Sequence, residues 1–170
     1  MFRQALLGEL QFEAENTRKL FKAIPDDVLK YKPNDFNWDL GQLVAHVAQI
    51  YNWWEATLYE NEFAIDSYIY DPGAIYNMDN NTKKLNENIA RAIKSLDDYP
   101  EARFMENWSM TSNGKVIIQP MPRIQVIRGF LMSHLYHHRG ELIAYLRVNH
   151  KPVPGLYGPS YEETLTAQNG

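Results

Sequence analysis

Four stretches of this chain repeat apolar residues every three or four positions, and that periodicity restricts its fold more than any other feature. The first covers residues 2–23, where Leu6, Leu10, Ala14, Thr17, Leu20 and Ile24 recur until Pro25-Asp26-Asp27 breaks the pattern. The second opens at Asp39-Leu40-Gly41-Gln42, an acceptor side chain followed three residues on by Gln, which is the pattern of a capping box. It carries Leu43, Val47, Ile50 and Trp54 and runs to about Tyr59. The third, residues 82–98, places Leu85, Ile89, Ile93 and Leu96 on one face and ends at Tyr99-Pro100. The fourth, residues 123–148, repeats Ile124, Ile127, Leu131, Leu135, Leu142 and Leu146. Helices with one apolar stripe each bury those stripes most simply against one another, so a four-helix bundle is expected.

The connections are less regular. Residues 29–38 carry Pro33, Asn34 and Asn37 and predict a loop pinned by Tyr31, Phe36 and Trp38. Residues 60–80 are aromatic and turn-rich without a period, which predicts a long crossover that frees the third helix from running antiparallel to the second. Two strand-like runs, residues 104–110 and 115–119, flank Thr111-Ser112-Asn113-Gly114. Asn-Gly between such runs signals a β-hairpin, which must lie on the helices because a lone hairpin is marginal. The Pro/Gly-rich tail from His150 to Ser160 predicts no regular element, with Leu156 and Tyr157 packed back on the bundle. The expected fold class is therefore all-α: a four-helix bundle with a long crossover and a small β-hairpin between its third and fourth helices. Without an internal repeat or a linker, residues 1–170 are expected to form a single domain.

Composition narrows the function. A chain of 170 residues with 45% hydrophobic and 22% charged residues can bury a core without disulfide or metal staples. Its net charge of −4 and the lack of a basic, aromatic-interleaved face argue against nucleic acid as a partner. No apolar run reaches the length of a membrane span, and Met1 to Glu9 lacks the long apolar core of a signal peptide, so a cytoplasmic protein without membrane contact is expected. Zero cysteines fit that compartment and confine any metal site to nitrogen and oxygen ligands.

Three of the five histidines, His134, His137 and His138, lie in the fourth periodic stretch. At about 100° per residue, positions four apart differ by roughly 40°, so His134 and His138 share a face with Ile127 and Leu131. His137 turns away from that face. His46 sits at the edge of the second stripe and points inward, where it would close a triad. Neutral imidazole suits zinc, nickel and similar divalent ions, and three protein ligands with an open position is the arrangement of catalytic metal sites. Spacing alone leaves the alternatives open: His46 reads as a satisfied core histidine before it reads as a ligand, and His134 and His138 read equally as ligands or as half-buried helix residues. The aromatics Trp53, Trp54, Tyr145 and Tyr157 read as core packing before they read as pocket walls.

Gly41-Gln42-Leu43-Val44-Ala45-His46, His134-Leu135-Tyr136-His137-His138-Arg139-Gly140-Glu141-Leu142, Tyr145-Leu146-Arg147 and Pro154-Gly155-Leu156-Tyr157-Gly158 together resemble the DinB/YfiT-like family of four-helix-bundle proteins. The resemblance spans essentially the whole chain. It implies a divalent-metal site, zinc or nickel, on His46, His134 and His138, a frequent homodimer, and a small-molecule substrate. It further implies a metal-dependent enzyme, foremost a transferase using a low-molecular-weight thiol such as bacillithiol as cosubstrate, or a related hydrolase. The alternative is a non-catalytic stress-related protein with a structural or regulatory metal. Glu141 stands where the family most often has Gln; it reads as a solvated helix residue or as a carboxylate orienting an imidazole. Arg139, turned away from the histidine pair, reads as structural, at a subunit contact.

Overall fold

The computed structural model describes residues 2–67 and 75–168. Tyr68, Tyr70 and Asp71-Pro72-Gly73, part of the expected crossover, lie outside the described residues.

Helix α1 (Phe2–Lys22) is built from good helix formers, carries Lys19 and Lys22 in its last turn where the helix dipole favours cations, and stops before Pro25. Helix α2 (Leu40–Ile50) starts on the capping box that the sequence predicts: the Gln42 amide donates to Asp39 Oδ1 at 2.8 Å and the Asp39 amide to Gln42 Oε1 at 3.0 Å. Two further amides fasten this end, Leu40 to the Tyr31 carbonyl at 2.9 Å and Gly41 to the Leu29 carbonyl at 2.8 Å. The approach at Gly41 is close enough that a Cβ there would stand 3.0 Å from the Ile75 carbonyl oxygen.

The second helix does not run unbroken to Tyr59. A turn at Tyr51-Asn52 separates α2 from α3 (Trp53–Tyr59). Helix α4 (Met78–Asp97) begins earlier than its stripe suggests, because Asn77 caps the Asn80 amide at 2.8 Å. The fourth helical run consists of α5 (Arg123–Val126), a π-helical segment (Ile127–Met132) and α6 (Ser133–Val148). It ends with His150 in the left-handed region (φ 55°), its amide bonded to the Arg147 carbonyl and that of Lys151 to Leu146. This is a Schellman closure with an exposed histidine in the place glycine usually takes.

Helix α4 packs on α1, α2 and α3, and α6 lies between α1 and α2. Leu10, Leu20, Leu43, Val47, Leu85, Ile89, Ile127, Leu131, Leu135 and Leu142 are all buried in the shared core, so the four apolar stripes meet as their periodicity requires. This is the four-helix bundle, and it carries more than a hairpin. Strands β2 (Asn107–Ser112) and β3 (Lys115–Pro122) pair antiparallel through a two-residue turn. Both turn residues have positive φ, Asn113 at 48° and Gly114 at 71°, which is the primed-turn geometry that Asn-Gly favours. Strand β1 (Glu62–Ala64) then adds parallel to β2, giving a three-stranded sheet in the order β1-β2-β3.

Trp108 and Met110 dock the sheet on Val126. Arg123, wholly buried, ties the sheet side to α3 by donating to the Thr57 carbonyl at 2.6 Å, to the Glu60 carbonyl, and to Asn61 Oδ1 at 2.8 Å. A cation at those C-terminal carbonyls also complements the α3 dipole. The tail is irregular to Ser160, and a short helix α7 (Tyr161–Gln168) with no buried residue follows.

No helix among the described residues is long and apolar enough to cross a membrane.

Candidate metal centre

His46 comes from the second turn of α2, and His134 and His138 from the first two turns of α6. The packing of α2 on α6 brings the three rings together: their centroids lie 5.0 Å (His46–His134), 4.7 Å (His46–His138) and 4.5 Å (His134–His138) apart. One potential ligand nitrogen from each lies within 4.8 Å of the others. His46 Nε2 and His134 Nε2 face each other at 3.1 Å.

The rings are shielded from water. His46 is 8% exposed, and burial, followed by the neighbouring His138 and His134, pushes its pKa down to about 3. Burial first, then His138 and His137, pushes His134 down to about 4. His138 is also lowered by burial, with Glu141 opposing the shift. All three are thus neutral imidazoles at pH 7, the form that binds metals.

Their outer nitrogens have different surroundings. Gln49 acts on His46 so as to oppose the lowering of its pKa. His138 Nδ1 lies 2.6 Å from Glu141 Oε2. Buried His134 Nδ1 has no hydrogen-bond partner among the described residues. Glu141 is therefore no solvated bystander. His137 is mostly exposed, with Nε2 3.6 Å from Glu141 Oε1. The donor set fits a divalent cation: neutral imidazoles converge, and two bare-capable nitrogens meet at a distance where at most one proton can be shared between them.

Aromatic rings box the triad. Trp38 lies edge-on to His46 at 4.8 Å and stacked on His138 at 6.0 Å. Trp53 contacts His46 at 5.4 Å and His134 at 5.5 Å, and Phe130, on the π-helical segment, lies 5.2 Å from His134. Trp38 and Phe130 were not among the aromatics weighed as pocket walls; Trp53, read first as core packing, is buried in the core and also borders the triad, while Trp54 is core. An open cleft of about 200 Å³ leads to His138 and Glu141 between Phe36, Trp38 and Tyr145. The loop before α2 is shaped for this. Asn34 Oδ1 accepts from the Phe36 and Asn37 amides at 2.9 and 3.1 Å, and Tyr145 Oη donates to the Trp38 carbonyl at 3.3 Å. Phe36 does not pin the loop as expected; it is 97% exposed, and Trp38 is 47% exposed above the histidines.

Arg139 is not at the surface. Its face of α6 meets α1, where it pairs with the Glu13 carboxylate and donates to the Glu13 carbonyl at 3.0 Å and Thr17 Oγ1 at 3.2 Å. Tyr157 of the tail joins from the other side, bonded to Arg139 and, at 2.7 Å, to Glu13 Oε2. The expectation of a subunit contact at Arg139 gives way to a buried intrachain hub, since α6 is covered on both flanks.

The family model for the DinB family matches residues 1–169. The chain belongs to the DinB family. A DinB-family chain of this length is matched by an uncharacterized protein, YrdA, of Bacillus subtilis (strain 168), 27% identical over 158 residues that cover 92% of this chain and 89% of YrdA. Among solved structures, a DinB-like protein from Bacillus cereus ATCC 10987 superimposes with a TM-score of 0.69 at 18% identity, covering 91% of this chain and 97% of that one. YfiT from Bacillus subtilis, described as a probable metal-dependent hydrolase with an unusual four-helix bundle topology, aligns with a TM-score of 0.61 at 18% identity over 87% of each chain. These two likenesses show the four-helix-bundle fold in this chain.

Proposed function

We propose that this DinB protein is a divalent-metal-dependent enzyme acting on a small molecule, with His46, His134 and His138 as the metal ligands. The observation that carries the reading is the convergence of three neutral imidazoles in a shielded site beside an open cleft. A zinc or nickel ion held there would supply Lewis acidity and lower the pKa of a bound water or thiol.

The chain's own residues do the rest. Trp38, Trp53 and Phe130 exclude water from the imidazoles, which strengthens electrostatic interactions inside. Phe36, Trp38 and Tyr145 wall a cleft sized for a small molecule or part of one. Among the described residues, the carboxylate that clusters with these histidines is Glu141, and it is engaged with His138. A low-molecular-weight thiol brings its own nucleophile and asks for no separate base, which favours thiol transfer to an electrophilic acceptor. The description of YfiT as a probable metal-dependent hydrolase supports hydrolysis as the variant. The resemblance further supports one domain acting as a cytoplasmic homodimer, which light scattering of the purified protein and cell fractionation check.

Zinc- or nickel-loaded protein, assayed with bacillithiol and a chlorinated aromatic acceptor and in parallel with ester and amide substrates, is expected to turn over at least one pair. Absence of turnover with every thiol, ester and amide would refute the enzymatic reading.

A further inference from the structure

Glu141 follows His138 by one turn of α6 and touches it at 2.6 Å, from Oε2 to Nδ1. A carboxylate accepts, so the proton of a neutral His138 ring belongs on Nδ1 and the bare lone pair on Nε2, the opposite side of the ring. Trp38 stacks on the face of the same ring, 6.0 Å away with 23° between planes. His138 is thus held at its edge by a carboxylate and at its face by an indole. The other two rings are held differently: Gln49 opposes the lowered pKa of His46, and His134 Nδ1 has no hydrogen-bond partner among the described residues. The Glu141 side chain is about one-third exposed and forms part of the cleft wall with His138 and Tyr145, so solvent competes only partly for its oxygens.

We propose that Glu141 is a positioning residue that locks His138 in its Nδ1–H form and aims its Nε2 lone pair, making His138 the strongest of three unequal donors to a divalent cation. The inference rests on the metal-site reading above. A carboxylate behind a ligating imidazole fixes its tautomer and raises its basicity, whereas an amide oxygen at the same place supplies the acceptor without the charge. Glu141→Gln therefore separates charge from geometry, and Glu141→Leu removes both.

Two readouts on the full chain test this. Nitrogen-15 shifts of the His138 ring in chelator-treated protein report the tautomer without any metal, and competition with a chromogenic chelator gives the zinc affinity. The wild type is expected to hold His138 as Nδ1–H. Glu141→Leu is expected to lose that preference and to bind zinc about 10- to 100-fold more weakly, with Glu141→Gln in between. An unchanged melting temperature of the metal-free variants shows that folding is not the cause; if Glu141→Leu fails to fold, Glu141→Gln alone decides. Zinc affinity within twofold of wild type, or a retained Nδ1–H form in Glu141→Leu, overturns the proposal. A wild type that binds no zinc overturns the metal site instead, and the tautomer measurement still decides the role of Glu141.

Discussion

Replacing Arg139 by Met should be among the most destabilising single changes in this protein that leaves the histidines intact. Its side chain is 2% exposed and that of its partner Glu13 5%. The guanidinium serves the Glu13 carboxylate, the Glu13 carbonyl, Thr17 Oγ1 and the Tyr157 hydroxyl together. Met fills much of the volume but leaves the buried carboxylate with only the Tyr157 hydroxyl at 2.7 Å of those partners. Breaking a buried pair from one side costs about 3–5 kcal/mol, because an uncompensated charge stays in the interior. Removing both charges costs far less. Arg139→Met/Glu13→Leu should therefore recover most of the loss and lie within about 2 kcal/mol of wild type. Urea unfolding of metal-free protein, followed by the fluorescence of the buried Trp53, Trp54 and Trp108, gives both values by linear extrapolation. A single variant within about 1 kcal/mol of wild type, or a double variant no more stable than the single, would refute the buried-hub argument.

The metal-free protein should lose stability as pH falls from about 6.5 toward 4, because His46 and His134 titrate near 3 and 4 when folded, so the unfolded chain takes up protons first. The loss should level off once the folded histidines protonate, and denaturation midpoints should fall less steeply in His46→Gln; equal slopes would contradict the shielding of His46. Gly41→Ala should cost roughly 1–3 kcal/mol, since its Cβ would meet the backbone carbonyls of Ile75 and Leu29 at 3.0 and 3.1 Å. Gly8→Ala, on an open face of α1, should instead stabilise by about 0.5–1 kcal/mol, so thermal melts of the two must shift in opposite directions.

The bundle was legible because each long helix keeps one apolar stripe, and the hairpin because Asn113-Gly114 suits positive φ at both positions. Strand β1 was not legible: three residues cannot show alternation, and Glu62 to Ala64 become a strand only by pairing with β2. Helix α7 buries nothing, so it has no stripe to read, yet Ser160-Tyr161-Glu162-Glu163 is a capping-box sequence that could have located it. The Glu163 amide donates to Ser160 Oγ at 3.2 Å and the Ser160 amide to Glu163 Oε2 at 3.0 Å.

At the site, helical phase was enough to separate His134 and His138 from His137 and to turn His46 inward. It could not place Trp38, whose position over the histidines depends on a loop held by Asn34 and Tyr145. Nor could it decide Glu141, because a residue one turn from a ligand points equally well at a ring or at water. Arg139 was misplaced for a related reason: opposite the triad means outside only for a helix packed on one flank, and α6 is packed on two.

Elemental analysis of purified protein is the direct test of whether His46, His134 and His138 hold one divalent ion, as proposed. Wild type and His137→Ala are expected to carry about one zinc or nickel ion per chain, and His46→Ala, His134→Ala and His138→Ala to lose most of it. Full metal content in all three triad variants would rule out the three histidines as the metal ligands.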